Sequence, residues 1–225
     1  MIPGQGVLAI WNGIEAGHEA EFLNWHIAEH IPERMAVPGF LRARRYRAVR
    51  GYPAYFNFYE VLRPDVLESH AYVSRLNDPS EWTRRVVPHF TAMSRTLCEV
   101  VASGGRGVGG FISTMRFDCA SDTLKPLVPM HLASPAITAV HLLERTRLSV
   151  QQTAEAAMRT AKDATSPSIL LVEGPAPDAL DAAVGEIASD DTLLANGASP
   201  PTDRGIYQLE FLLDHGQDDV SGAHH

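Results

Sequence analysis

Short apolar runs alternate with longer stretches in which apolar residues recur at helical spacing. Gly6 to Ile14 reads GVLAIWNGI, a β-prone run that predicts a strand. Between Glu19 and Ile31 the apolar residues are spaced among charges as on one face of a helix. A helix is therefore predicted there, and Pro32 should end or bend it because proline lacks a backbone N–H.

The same reading extends over the rest of the first unit. VPGF at Val37 to Phe40 predicts a turn. The further predicted elements are strands at Leu41–Val49 and Ala54–Leu62, a helical stretch at Pro64–Thr96 that Asp78 or Ser80 could cap internally, and a strand at Cys98–Ser103. The predicted order is β-α-β-β-α-β.

After the glycine-rich GGRGVGG the order begins again. GFISTMRF, AITAVHLLERT, SILLVEG and IYQLEFLLDH predict strands, DTLKPLVPMHLA and DALDAAVGEIAS occupy the helix positions, and SDDTLLANGASPPTDRG predicts a surface loop. The predicted fold class is α+β, with two tandem ferredoxin-like repeats over residues 1–105 and 106–215 and a mobile tail at 216–225.

A four-stranded sheet with helices on one face leaves its other face apolar and bare, so the two repeats should cover each other and form a barrel. A cavity is expected inside this barrel or between a sheet and its helices. The second repeat carries Pro126 and Pro129, the first two prolines of KPLVPMHLASP, where the first has a long helix. We therefore expect an intact site in the first repeat only.

Composition and charge narrow the choice of partners. The 225 residues are 45% hydrophobic, enough for a core, and the net charge of -8 argues against nucleic acid as the main partner. Arginines cluster in one segment, where strand-edge positions and salt bridges are expected: Arg42, Arg44, Arg45, Arg47 and Arg50. Cys98 and Cys119 sit in apolar surroundings without metal spacing, which indicates a reducing compartment and no disulfide framework. No leader pattern or membrane-spanning apolar run is present, so a soluble cytoplasmic protein is expected.

Two histidines mark the helix that follows the first strand. His26 and His30 are four residues apart and share a helix face, with Glu29 beside them and Glu33 one turn further if the helix survives Pro32. HIAEH also matches the H-x-x-E-H arrangement of inverted zinc peptidases, although no third ligand is identifiable. The competing interpretation is a hydrogen-bonded core histidine, which is favoured for His26.

FLNWHIAEHIPERMAVPGFLRARRY, residues 22–46, resembles a segment of the EthD-like proteins, which belong to the dimeric α/β-barrel superfamily. The matching residues are Trp25, Glu29, His30, Pro32, Pro38, Gly39 and Tyr46. The resemblance implies the barrel fold. Its members include aromatising cyclases, muconolactone-type isomerases, cofactor-free monooxygenases and haem-binding branches. Two chains usually pair their sheets in that superfamily, so the internal repeat removes the usual reason to form a homodimer without forbidding one.

The leading hypothesis is a cofactor-independent lyase, cyclase or isomerase acting on an aromatic or polyketide-like small molecule. The candidate catalytic residues are His30 as proton shuttle, Tyr59 and Arg45 at the oxyanion, and Glu33 to fix the tautomer, with Arg34 as an alternative cation and Glu29 as an alternative carboxylate. The candidate substrate-binding residues are Trp25, His26, Tyr46, Tyr55, His89 and Phe90. Strand alternation places Tyr55 and Tyr59 on one face, which either lines the cavity or packs on the helices.

Two alternatives remain open. In the first, a divalent metal or haem is bound by His26 and His30 or by His89, which falls on an apolar stripe of the second helical stretch with Phe90. In the second, the chain is a non-catalytic module that binds a small ligand. GRGVGG matches G-x-G-x-x-G on paper, but it precedes a predicted strand rather than a helix, so it is interpreted as a linker.

Overall fold

The computed structural model describes residues 1–148, 152–159 and 162–215. The first unit contributes strands β1 (Gly6–Ile14), β2 (Phe40–Arg50), β3 (Tyr55–Val61) and β4 (Phe90–Gly105). The second unit contributes β5 (Phe111–Phe117), β6 (Ala139–Arg145), β7 (Ser168–Gly174) and β8 (Asp203–Asp214). The tail predicted at 216–225 lies outside the described residues.

Helices connect the strands on the outside of the sheets. They are α1 (Glu19–Trp25), α2 (Ile31–Met35), α3 (His70–Asn77), α4 (Glu81–Val86), α5 (Leu127–Leu132), α6 (Ala154–Ala157), α7 (Pro177–Ile187) and α8 (Asp190–Ala195). Short 3-10 turns occur at Pro64–Glu68, Val87–His89 and Ser121–Leu124, and a π-helical turn joins α1 to α2 at His26–His30.

The eight strands close into one antiparallel barrel in the order β1-β3-β2-β8-β5-β7-β6-β4. Within the first repeat β1 pairs with β3 and β4, and β2 pairs with β3. The repeats are joined along two seams, β2 with β8 and β4 with β6. This closure leaves no sheet edge in the barrel, and the predicted α+β fold with two ferredoxin-like repeats is confirmed.

The second helical stretch of the first repeat is shorter than the sequence predicted. The prediction of helix to Thr96 is wrong because helical structure ends at His89 and β4 begins at Phe90. Pro88 lacks a donor for continued helix, and the residues that follow pair with β1, for example Leu97 with Leu8. Ser80 is the internal cap, since its Oγ accepts a hydrogen bond from the Thr83 N–H at 3.0 Å.

Two features of the second repeat were not predicted. The expected loop before the last strand contains α8, whose first turn is capped by Ser189. The connection from β6 to β7 spans residues 146–167 and includes α6, whereas the equivalent connection between β2 and β3 spans only residues 51–54. This long connection contacts the first repeat, where Glu155 of α6 pairs with Arg34.

The barrel interior is filled by side chains. Trp11 stacks on Phe56 with ring centroids 4.5 Å apart. Beside these rings the buried Arg44 forms ion pairs with Glu60 at 2.6 Å and with Glu173 at 2.7 Å. Burial raises the pKa of Glu173, but Arg44 and the hydrogen bond from His141 outweigh it and lower this pKa to about 2. The interior is thus a packed core with a charged centre.

The arginine cluster is explained by ion pairs. Each of its five members contacts a carboxylate: Arg42 with Glu60, Arg44 with Glu60 and Glu173, Arg45 with Glu210, Arg47 with Glu19, and Arg50 with Asp178 and Asp181. The salt-bridge prediction is confirmed, but the strand-edge prediction is wrong because β2 pairs with a neighbour on each side.

Cys98 and Cys119 are both free. No helix in the described part of the chain is long and apolar enough to cross a membrane.

Candidate active site

The helix that carries the two histidines widens into a π turn over His26–His30 before continuing as α2. Pro32 explains this widening, because it has no N–H to donate and its ring would clash with the carbonyl of Ala28 in a regular α-helix. The Ile31 N–H bonds instead to the His26 carbonyl, five residues back. The helix therefore survives Pro32, and π turns of this kind are frequent at functional sites.

The π turn aims both imidazoles at the outer face of the first sheet. The His26 and His30 rings are stacked with centroids 5.3 Å apart, and Trp25 covers His30 at 4.3 Å. Tyr59 on β3 places its hydroxyl 3.4 Å from His26 Nε2. The two histidines and Tyr59 line a cavity of about 30 Å³, hereafter the histidine pocket, whereas Trp25 is absent from its described lining. Its other described lining residues are Leu8, Ile10, Asn12, Arg34, Asn57, Tyr72, Phe90, Met93, Arg95, Glu155 and Arg159.

Several buried polar atoms of the histidine pocket have no hydrogen-bond partner among the described residues. They are the Nδ1 atoms of His26 and His30, Asn57 Oδ1 and Arg34 Nη1. Leaving a buried polar group unpaired costs about 1–3 kcal/mol, so such groups normally meet water or a ligand. A volume of about 30 Å³ has room for roughly two water molecules. The pocket is therefore polar and suited to a ligand with hydrogen-bonding groups.

Both histidines are held in the neutral form. Burial, then Arg45, then Arg34 lower the pKa of His26 well below its usual value. Burial, then Arg34, then His26 do the same for the pKa of His30. A neutral imidazole has one nitrogen free to accept a proton, so each ring presents an accepting nitrogen at neutral pH.

Buried neutral histidines make the fold sensitive to mild acid. Burial lowers the pKa of His26, His30, His131 and His141. Below about pH 6.5 these histidines bind protons in the unfolded chain but not in the folded chain. The free energy of unfolding should therefore fall as the pH falls. Urea titrations between pH 7.5 and 5 should show this loss. His26→Gln/His30→Gln should have a shallower slope, by up to about 1.4 kcal/mol per pH unit for each histidine removed. Parallel slopes in the two proteins would contradict the buried neutral state.

Some predicted site residues lie elsewhere. Tyr46 points into the barrel, where Arg44 donates a hydrogen bond to its hydroxyl at 2.8 Å, so the sheet separates it from His30. Tyr55 shares the helix-facing side of β3 with Tyr59, as alternation predicted, but it packs on Phe22 and donates to Glu19. These two tyrosines are core residues, outside the histidine pocket.

His89 is also separate from the pocket. Its ring stacks on His18 at 3.4 Å, and its Nδ1 lies 2.8 Å from a Glu15 carboxylate oxygen. The three side chains offer potential ligand atoms within 4.8 Å of one another. The two rings are nearly parallel, at 13°, and nitrogen lone pairs lie in the ring planes, so they do not converge on one ion as they stand. Phe90, the next residue, does line the histidine pocket.

The predicted supporting charges have other partners. Arg45 donates to the Leu23 carbonyl at 3.3 Å and pairs with Glu210 at 3.2 Å. Glu33 is half-buried beside Arg34 and is absent from the described pocket lining. Glu29 accepts hydrogen bonds from Trp25 Nε1, Ser80 and Thr83. Of the two arginines proposed for the oxyanion, Arg34 lines the pocket and Arg45 does not, and neither carboxylate orients an imidazole.

Sequence reasoning missed six polar residues of the pocket, which are Asn12, Asn57, Tyr72, Arg95, Glu155 and Arg159. Asn12 and Asn57 face each other across β1 and β3, with the Asn57 amide donating to Asn12 Oδ1 at 2.8 Å. A polar residue within an otherwise apolar strand was the available signal for both. Glu155 and Arg159 come from the second repeat, and no local pattern links them to the histidines.

The site does not fit the metal or haem alternatives. In the described part of the chain, neither His26 nor His30 belongs to a group of three or more histidine, cysteine or carboxylate ligand atoms that all lie within 4.8 Å of one another. A pocket of about 30 Å³ is far below the several hundred Å³ of a typical cofactor site. A neighbouring chamber of about 810 Å³ is large enough, but its described lining contains no histidine, cysteine, methionine or tyrosine to ligate iron.

Comparisons with known proteins identify the fold. No protein-family model and no curated protein matches the sequence. An anthrone oxidase-like protein superposes with a TM-score of 0.62 at 12% identity, covering 94% of this chain and 93% of its own. A proposed monooxygenase from Fusobacterium nucleatum gives 0.60 at 10% identity, covering 95% and 96%. A haem-binding protein from Thermus thermophilus gives 0.54 at 10% identity, covering 92% of each chain. Over nearly its whole length, this chain therefore has the fold of the dimeric α/β-barrel proteins.

Proposed function

We propose that this chain is a small-molecule enzyme in which a neutral histidine removes a proton from a weakly acidic organic substrate. The observation that carries the proposal is the set of buried, unpaired polar atoms around the histidine pocket, two of which are imidazole nitrogens. A structural histidine in a protein core normally has its ring nitrogens hydrogen-bonded. An unpaired nitrogen in a polar cavity is available to a substrate.

His30 is the proposed general base, because it is the more accessible of the pair at 8% exposed against 3% for His26. It accepts the proton on a ring nitrogen, which leaves the electron pair on the substrate as an enolate or phenolate. Arg34 Nη1, which has no hydrogen-bond partner among the described residues, and the Tyr59 hydroxyl stabilise the negative oxygen. His26 lies 3.4 Å from that hydroxyl and orients it.

The fate of the anion separates two reaction classes. In a lyase, cyclase or isomerase the anion eliminates a group, closes a ring or is reprotonated at another atom. This class is the one implied by the EthD-like segment, which we retain as part of the proposal. In an oxidase the anion is instead oxidised by O₂. The names of two structural neighbours, an anthrone oxidase-like protein and a proposed monooxygenase, favour this second candidate. Both classes share the deprotonation step.

Solvent exchange tests that shared step. Anthrone and 2-tetralone, two aromatic ketones with acidic C–H bonds, would be incubated with the protein in deuterated buffer and followed by proton NMR. We expect the methylene signal of at least one ketone to disappear faster than in buffer alone, and O₂ uptake would then distinguish oxidation from reprotonation. Equal exchange rates with the wild-type protein and with His30→Gln would contradict the proposal.

A further inference from the structure

The histidine pocket shares a wall with a second, larger chamber. Arg95, Glu155 and Arg159 line both cavities. The larger chamber has a volume of about 810 Å³ and lies between α3, β4 and the connection from β6 to β7. A volume of this size holds an ordinary small molecule, whereas the histidine pocket alone does not. A molecule held in the larger chamber reaches the imidazoles across this wall.

Polar contacts attach α6 to the first repeat, and Met158, just after α6, packs against the cluster of Phe22 and Trp25. Glu155 of α6 forms an ion pair with Arg34, and the Ala154 N–H bonds to Asn77 Oδ1 at 3.0 Å. No residue of α6 itself is buried. Farther along, Ala164 is anchored by backbone hydrogen bonds to Met93 and Arg95 at 3.0 and 2.8 Å. Segments with few buried apolar contacts open at low cost, so α6 is easier to displace than its anchor at Ala164.

Cations outnumber anions around the two chambers, in a chain whose net charge is -8. The described cationic lining residues are Arg34, Arg95, Arg145, Arg159 and Lys162, and the anionic ones are Glu68, Glu155 and Asp163. Arg159 is engaged by Asp163 at 2.7 Å, and Arg34 by Glu155. Arg95 donates to the Tyr72 hydroxyl at 3.1 Å, and among the described residues it has no carboxylate partner within 4.0 Å.

We infer that the joined chambers, whose lining includes the rings of Tyr59, Tyr72 and Phe90, bind an aromatic molecule carrying a carboxylate or similar anionic group, and that this group replaces Glu155 as the partner of Arg34. The inference deepens the proposed function, on which it rests, by giving the substrate class of the same site. Arg34 is 3% exposed, so an anion that reaches it is largely desolvated and forms a strong, charge-assisted pair. Glu155 holds this position without a substrate and favours anionic molecules, because a carboxylate competes for the guanidinium more strongly than a neutral ketone or amide does.

Binding of a matched pair of probes tests the inference. Isothermal titration calorimetry would compare 2-naphthoate with its uncharged amide, 2-naphthamide. We expect the wild-type protein to bind naphthoate at least tenfold more tightly than the amide. Glu155→Gln should bind naphthoate about tenfold more tightly than the wild type, since the competing carboxylate is gone. Amide binding should change less than twofold. Glu186→Gln, on the exposed side of α7, is the matched control and should change neither affinity.

Removing a cation from the lining should weaken naphthoate binding, the opposite of the change expected for Glu155→Gln. Arg34→Gln and Arg95→Gln should each weaken naphthoate binding at least tenfold. If circular dichroism shows that Arg34→Gln does not fold, Arg95→Gln tests the inference instead, because Arg95 is only half-buried. Equal affinity for naphthoate and naphthamide, no gain in Glu155→Gln, or no naphthoate binding to either protein would overturn the inference. These are binding measurements, so they are independent of the solvent-exchange result. If the protein bound naphthoate selectively but showed no solvent exchange that depends on His30, the anion site would be supported and the proposed catalysis would be contradicted.

Discussion

Replacing His30 with glutamine is expected to lower kcat/KM for the true substrate by about 10²-fold or more, the usual loss when a general base is removed. Glutamine approximates the size of histidine and keeps a polar group in the π turn, but it cannot accept a proton near neutrality. His70→Gln is the matched control, because His70 is exposed on α3 and outside the described lining of either chamber. A loss of less than about threefold in His30→Gln would remove the general base from the mechanism.

The pH profile of the wild-type enzyme supplies a second readout for the same residue. Burial and Arg34 lower the pKa of His30, so the base should stay unprotonated below the usual histidine value of about 6.5. We expect kcat/KM to be flat from pH 8 to 6.5 and to decline only in more acidic buffer. An acid limb centred at or above pH 6.5 would show that the imidazole is more hydrated than its burial in the fold indicates.

Replacing Arg44 with methionine is expected to lower the free energy of unfolding by about 3–5 kcal/mol, because it removes the arginine paired with the buried Glu173 carboxylate and leaves Glu60 paired with Arg42. Urea unfolding at pH 7.5 measures the change. Arg47→Met on the same strand is the control, since its ion pair with Glu19 is about half exposed and such pairs contribute about 1 kcal/mol or less.

The triple variant Arg44→Met/Glu60→Gln/Glu173→Gln separates lost packing from uncompensated charge. It should be more stable than Arg44→Met, because the buried negative charges are gone. The stability difference between the wild type and Arg44→Met should also depend on pH. Arg44 contributes to the lowered pKa of Glu173, about 2 in the folded state, so its stabilisation is present above the unfolded value of about 4.3 and is lost as the pH falls toward 2. If Arg44→Met lowered the free energy of unfolding by less than about 1 kcal/mol at pH 7.5, the ion pairs of Arg44 would not be central to the stability of the fold.

Sequence patterns within a single helix or strand were sufficient to predict features that this helix or strand determines by itself. The run GVLAIWNGI predicted β1 with its observed bounds, and the spacing of four between His26 and His30 predicted that the rings share a face. Local signals failed at Phe90 to Thr96, where apolar residues at helical spacing form a strand. Pairing of that segment with β1 overrides its local preference, because β structure depends on neighbours distant in the chain.

The candidate site shows the same division. His30 and Tyr59 could be proposed from the sequence, because a helix face and strand alternation are periodic local properties. Tyr46 was misplaced because the sequence does not show which face of β2 meets the helices and which turns into the barrel. Glu155 could not be predicted, since it is 121 residues from the arginine it contacts.

The sequence by itself determined the tandem repeat, the antiparallel order of strands and helices, and the histidine pair ahead of Pro32. These features follow from periodicity and from backbone restrictions that act within a few residues. Only the tertiary structure decided that the barrel interior is filled, that the pocket lies between the first sheet and its helices, and that the second repeat closes that pocket. Such outcomes depend on barrel closure, which fixes the strand faces and brings side chains from both repeats into contact.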